Sequence, residues 1–152
     1  MNETAEATAP TGYQQQVDFT RPPEVLFEVL TTAAGASGWW MPTTGSGSEG
    51  GELHMTFPSG PVVMRVDTAR PPSEVAWTVL VCDFEPDWVG TRIVFALRPA
   101  AGGGTTLEFC HEGLTAQLEC FDQCRQGWGF YLASLRDLVE TGAGRPGNRH
   151  GG

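Results

Sequence analysis

From Tyr13 to Phe19 the chain alternates, with Tyr13, Gln15, Val17 and Phe19 on one face, as a half-buried strand requires. Thr20-Arg21-Pro22-Pro23-Glu24 then reads as a helix entry, with prolines early and an acid in the first turn. Val25, Leu26, Val29 and Leu30 give that helix its apolar stripe, and a second short helix is expected over Thr32–Trp39, weakened by Gly35 and Gly38. Leu53, Met55 and Phe57 alternate with Glu52, His54 and Thr56, and Pro58-Ser59-Gly60-Pro61 supplies a hairpin connection. Val62, Met64 and Val66 face one way and Val63, Arg65 and Asp67 the other, before Pro71-Pro72-Ser73 turns the chain. Val75, Trp77, Val79 and Val81 are expected on the inner face of the next strand, followed by Ile93, Phe95 and Leu97, a loop over 100–104, and Leu107, Phe109 and His111. One apolar face per strand points to an antiparallel sheet covered on one side.

From Leu114 to about Thr141 the period becomes helical. Cys120, Cys124, Trp128, Tyr131, Leu132, Leu135, Leu138 and Val139 recur at spacings of three and four. Such a helix would run roughly 40 Å, enough to cross a sheet. The predicted fold class is α+β, with about six curved antiparallel strands, two short helices after the first strand, and a long C-terminal helix gripped by the sheet.

The chain has 152 residues and a formal charge of −9, with 40% apolar and 18% charged residues, which suits one globular domain. We expect a polar lead over residues 1–11, a single domain over 12–145 and a glycine-rich tail over 146–152, both ends disordered. Nine basic residues against eighteen acidic ones, with no basic run, argue against nucleic acid. All nine are arginine, so lysine-dependent phosphate or Schiff-base chemistry has no residue to use. No apolar run reaches the roughly 20 residues of a membrane span. Met1 to Gly12 lacks the basic and apolar segments of a secretory signal, so a cytoplasmic location is expected. The four cysteines are then expected as thiols rather than a disulfide framework.

Several short segments, taken in order, resemble the activator-of-heat-shock-protein-90-ATPase-like branch of the START/Bet v 1-like (SRPBCC) superfamily. They are Trp39-Trp40, Val75-x-Trp77 after Arg70-Pro71-Pro72, Gly90-Thr91-Arg92-Ile93-x-Phe95 and Thr105-x-Leu107-x-Phe109-x-His111-Glu112-Gly113-Leu114. Cys120-Phe121-Asp122-Gln123-Cys124, Gly127-Trp128 with Leu132-x-x-Leu135, and Thr141-Gly142-x-Gly144-x-Pro146 complete the set. The resemblance covers roughly residues 12–146 and implies a helix-grip fold with a cavity between sheet and long helix. It leaves function open, because this fold hosts carriers, cyclases, hydrolases and chaperone regulators.

Trp39, Trp40, Trp77, Trp88 and Trp128, with Phe57, Phe95, Phe109 and Tyr131, either line a pocket for a flat, apolar ligand or fill the core. Gly127 and Gly129 each cost about 1 kcal/mol relative to alanine inside a helix, which suggests a close approach to something there. His111 has inward parity and could hydrogen-bond a ligand, act as an acid–base catalyst or bind metal; the alternative is a buried histidine satisfied internally. Cys120 and Cys124 lie one helical turn apart and with His111 could hold zinc, but the spacing is not that of a zinc knuckle, and cavity wall is the simpler reading. Gly45-Ser46-Gly47-Ser48-Glu49-Gly50 matches a phosphate-loop pattern without the flanking strand and helix, and is expected as a flexible loop near the cavity mouth. Asp83, Glu85 and Asp87 bracket a loop ending at Trp88 and read as a solvated rim from which an acid could reach the mouth.

The expected function is binding of a small apolar or aromatic molecule, without cofactor or metal and without nucleic-acid or membrane partners. The wall would be Trp39, Trp40, Met55, Met64, Trp77, Phe95, Phe109, Cys120, Cys124 and Trp128, with His111 as polar handle. A cyclase- or hydrolase-like enzyme using His111 is the alternative, and a co-chaperone role, implied by the resemblance alone, is a third. A homodimer is compatible with all three.

Overall fold

The computed structural model describes residues 12–115, 118 and 121–145. The expectations for residues 1–11, for Cys120 and for the tail from 146 lie outside the described residues. The elements are β1 (Gly12–Phe19), α1 (Pro23–Leu30), α2 (Ala33–Trp39), β2 (Thr43–Gly45), β3 (Glu52–Phe57), β4 (Gly60–Arg70), β5 (Glu74–Cys82), β6 (Arg92–Pro99), β7 (Thr105–Glu112) and α3 (Phe121–Thr141). The seven strands form one antiparallel sheet in the order β1-β7-β6-β5-β4-β3-β2, so the helix-grip architecture holds with one strand more than expected.

The extra strand, β2, is three residues long, too short to show a period, and pairs Thr43 with Met55. Ser37 ties it to α2 by accepting from the Thr43 amide at 2.8 Å. The helices begin and end as the chain chemistry dictates. Pro22 and Pro23 open α1 with fixed φ, and Thr32 caps α2 by accepting from the Gly35 amide at 3.0 Å. Leu26 and Leu30, four residues apart, are fully buried on the sheet side. Gly38 lets α2 lie against α3, where an added Cβ would sit 3.0 Å from Leu138. Buried Ser134 fixes the same junction, donating to the Trp39 carbonyl at 2.9 Å and accepting from the Arg145 amide at 2.6 Å.

Two features depart from the sequence pattern. The β4–β5 register jumps from Val63↔Val81 to Met64↔Val79, leaving Leu80 as a bulge residue. Parity flips there, so Cys82 is buried instead of Val81. The run Val79-Leu80-Val81 is apolar throughout and carries no sign of the flip. The terminal helix starts at Phe121 rather than Leu114. Gly113 at φ +99° turns the chain, Leu114 donates to the His111 carbonyl and plugs the core, and Leu118 accepts from the Phe121 amide. With 21 residues the helix spans about 32 Å. Gly142, at φ +89°, ends it, its amide bonded to the Leu138 carbonyl.

Candidate functional site

Trp39 and Trp40 are adjacent yet both buried, because α2 ends between them and their side chains no longer diverge by a helical step. Their rings stack at 5.3 Å. Trp39 meets Phe95 edge-on at 6.4 Å, and Trp40 lies between Trp77 (6.1 Å, near-parallel) and Trp128 (4.9 Å). Trp77–Phe95, Phe95–Phe109 and Phe109–Trp128 contacts at 5.0, 5.3 and 4.5 Å close the ring of aromatics. The middle of the helix–sheet interface is therefore filled by the protein's own side chains. Trp39, Met55, Met64, Trp77, Phe95 and Phe109 are core residues here and do not border open space.

Space opens at one end, where the N-terminal half of α3 passes over the β3–β4 hairpin and the β5–β6 connection. A cleft of about 360 Å³ lies there, with Trp40 and Trp128 at its inner end and Phe57, Phe84, Trp88 and Tyr131 around it. That volume is at the lower end of the range of small-molecule sites. Gln123, Cys124 and Gly127 complete the helix side, Ser59 and Glu85 the strand side. Of the wall residues expected from the sequence, Trp40, Cys124 and Trp128 come together at this cleft with Phe57, Trp88 and Tyr131, which the sequence left between pocket and core, and His111 lies one hydrogen bond behind it.

Sequence reasoning had no place for Phe84, read Ser59 as part of a hairpin connection, and left Glu85 on the rim. The available signal was two aromatics inside an acidic segment, Asp83-Phe84-Glu85-Pro86-Asp87-Trp88, where a plain solvated loop would carry none. Phe84 is 40% exposed and Val89 49%, the exposed large apolar side chains among the described residues, and both belong to this connection. A second depression, between α1, α2 and the end of α3, is larger at about 620 Å³ but more open and has no aromatic wall. The glycine-rich loop over 45–50 lies at the other end of β3 from the cleft, about 20 Å away along the strand. It is pinned, with Gly47 against the Thr31 backbone and Glu49 accepting from the Ala69 amide at 3.0 Å.

His111 is fully buried, and its proton can be placed from its partners. The Trp128 indole can only donate, so Nδ1 of His111 accepts from it at 3.0 Å. Thr91 Oγ1 spends its own proton on the Trp88 carbonyl at 2.6 Å and therefore accepts from His111 Nε2–H at 2.8 Å. A neutral imidazole satisfies every member of this chain. Burial pushes the His111 pKa down to about 3. Both ring nitrogens are thus engaged inside the protein and the charged form is disfavoured, with His111 behind the cleft as a support for Trp128 and Thr91. Among the described residues no three metal-ligating side chains gather. Cys124 accepts from the Trp88 indole at 3.3 Å, so α3 and the β5–β6 connection are bonded across the cleft edge. Burial, with a smaller effect from Glu85, Cys124 and Asp83, raises the Cys82 thiol to about 11.

The fold has close parallels among solved structures. The Aha1 dimer from Colwellia psychrerythraea, a solution structure, superposes with a TM-score of 0.78 at 26% identity, over 88% of this chain and 99% of that one. An HSP90 activator from Plasmodium falciparum gives 0.68 at 15% identity, over 85% and 96%, and a protein from Bacillus halodurans 0.66 at 21%, over 85% and 96%. The last two establish likeness of fold. None of the curated proteins matches. No helix among the described residues is long and apolar enough to cross a membrane. The family model of the activator of Hsp90 ATPase homolog 1-like proteins matches residues 20–140, most of the described chain, and the protein belongs to that family.

Proposed function

We propose that residues 12–145 act as one cytoplasmic domain that binds a small apolar or aromatic molecule in the cleft at the N-terminal half of α3, without catalysing its conversion. The observation that carries this reading is the coincidence of open space with aromatic surface. The centre of the helix–sheet interface is filled by packed aromatics, while the cleft beside it is bordered by six aromatic side chains, Phe84 among them half-exposed. Burying apolar ligand surface there is favourable at roughly 25 cal/mol per Å². His111, the sequence candidate for acid–base chemistry, has both ring nitrogens engaged by Trp128 and Thr91 rather than turned to the cleft.

Titration with Nile red, an uncharged environment-sensitive dye, tests the proposal. A saturable rise in emission at one dye per chain is expected. Gly127→Leu, which places an isobutyl group on the cleft side of α3, should weaken binding at least tenfold. Equal binding by both proteins, or none by the parent, would refute the cleft as the site.

Family membership favours a second reading, regulation of a heat-shock ATPase, with self-association as in the Colwellia dimer. Stimulation of a purified Hsp90 ATPase by this chain would support it; an unchanged rate at saturating concentration would remove it.

A further inference from the structure

The charge around the cleft narrows the ligand class. Among the described residues lining it, Glu85 is the one carboxylate, and none is an arginine or histidine. Asp83 and Asp87 flank Glu85 on the same connection. The nearest basic residue in the sequence of α3, Arg125, points elsewhere on its circumference and is paired with Asp122 at 3.4 Å. Six of the lining side chains are aromatic, and such rings attract cations through their quadrupoles, tryptophan best.

We infer that the cleft selects a cationic ligand, an amine or quaternary ammonium carried on an aromatic or apolar body, with the cation beside Glu85 over the Trp88 and Phe84 rings and the body against Trp128 and Trp40. The inference rests on the binding function proposed above. Charge complementarity supplies the sign of the ligand and the aromatic walls its character. An anionic compound of the same shape would meet an uncompensated carboxylate at the mouth and find no donor of positive charge to offset it.

Three probes of nearly equal shape separate the possibilities: benzyltrimethylammonium, its uncharged carbon isostere neopentylbenzene, and phenylacetate. Binding is read from the indole N–H resonances of Trp88 and Trp128 in ¹H–¹⁵N spectra. The cation should bind at least tenfold more tightly than the isostere, and phenylacetate should produce no shift. Glu85→Gln should reduce the preference to threefold or less, whereas Glu24→Gln, on α1, should leave it unchanged. Raising NaCl from 20 to 300 mM should weaken the cation and not the isostere. If the isostere binds as tightly as the cation, or Glu85→Gln leaves the preference intact, the charge inference fails while the binding function stands. If no probe moves either resonance, both fail.

Discussion

His111 makes the fold sensitive to acid at a pH where carboxylates are still silent. Its ordinary pKa is 6.5, and burial in the folded protein lowers it to about 3. Between these values the unfolded chain takes up a proton that the folded chain refuses. The stability that this site contributes is therefore complete above pH 6.5 and drains away as pH falls toward 3. The slope approaches about 1.4 kcal/mol per pH unit, and at pH 5 the loss relative to neutral pH comes to about 2 kcal/mol. For a domain of this size that is roughly 4–8 °C in Tm. Carboxylates with ordinary values near 4 add little above pH 5. The assay is urea or thermal unfolding at pH 7.5, 6.5, 5.8 and 5.0, with the parent and His111→Gln side by side. Glutamine keeps an acceptor for the Trp128 indole and a donor for Thr91 but cannot titrate. Its stability at pH 7.5 is expected to be lower, and its pH dependence over this range nearly flat. A parent curve with the same slope as His111→Gln would show that His111 is protonated in the folded protein and that the hydrogen-bond chain is wrongly placed.

Two further outcomes follow from packing. Gly129 faces open space, with nothing within 4 Å of a Cβ built on it, so Gly129→Ala should raise stability by about 1 kcal/mol through helix propensity, read as a Tm gain of a few degrees without loss of dye binding. Ser134→Ala leaves the buried Trp39 carbonyl and the Arg145 amide without their shared hydroxyl, and should cost about 1–3 kcal/mol in denaturant unfolding.

Strand parity was legible because the sheet hides one face: Leu53, Met55 and Phe57, then Val62, Met64 and Val66, are buried as their alternation requires. The helical period from Trp128 onward was equally plain, with Trp128, Leu132, Leu135 and Val139 all inward. What escaped was local. Three residues of β2 hold no period, the apolar run at Leu80 conceals a bulge, and Leu114 belongs to a turn although it fits the helical spacing. The cleft was harder still, because parity tells which residues point inward and not which inward space is already taken. Trp40 decides that, and it sits where a helix stops, the one kind of position where periodicity assigns no direction. Gly129, expected at a close approach, has none, whereas Gly127 does border the cleft.

The same arrangement explains why a buried, neutral histidine sits so near the candidate site. Trp128 comes from α3 and Trp88 from the β5–β6 connection, and neither element is bonded to the other by secondary structure. His111, on β7, accepts from the Trp128 indole and, through Thr91, ends on the Trp88 carbonyl; the Trp88 indole in turn reaches Cys124 on α3. Two aromatic side chains from unconnected segments are thereby held stacked, centroids 6.0 Å apart, by a chain in which each donor has one acceptor. The wall geometry thus depends on the imidazole being neutral, and burial ensures that it is. A ligand resting on Trp88 and Trp128 has no need to touch His111, yet would still meet a site whose shape that residue sets.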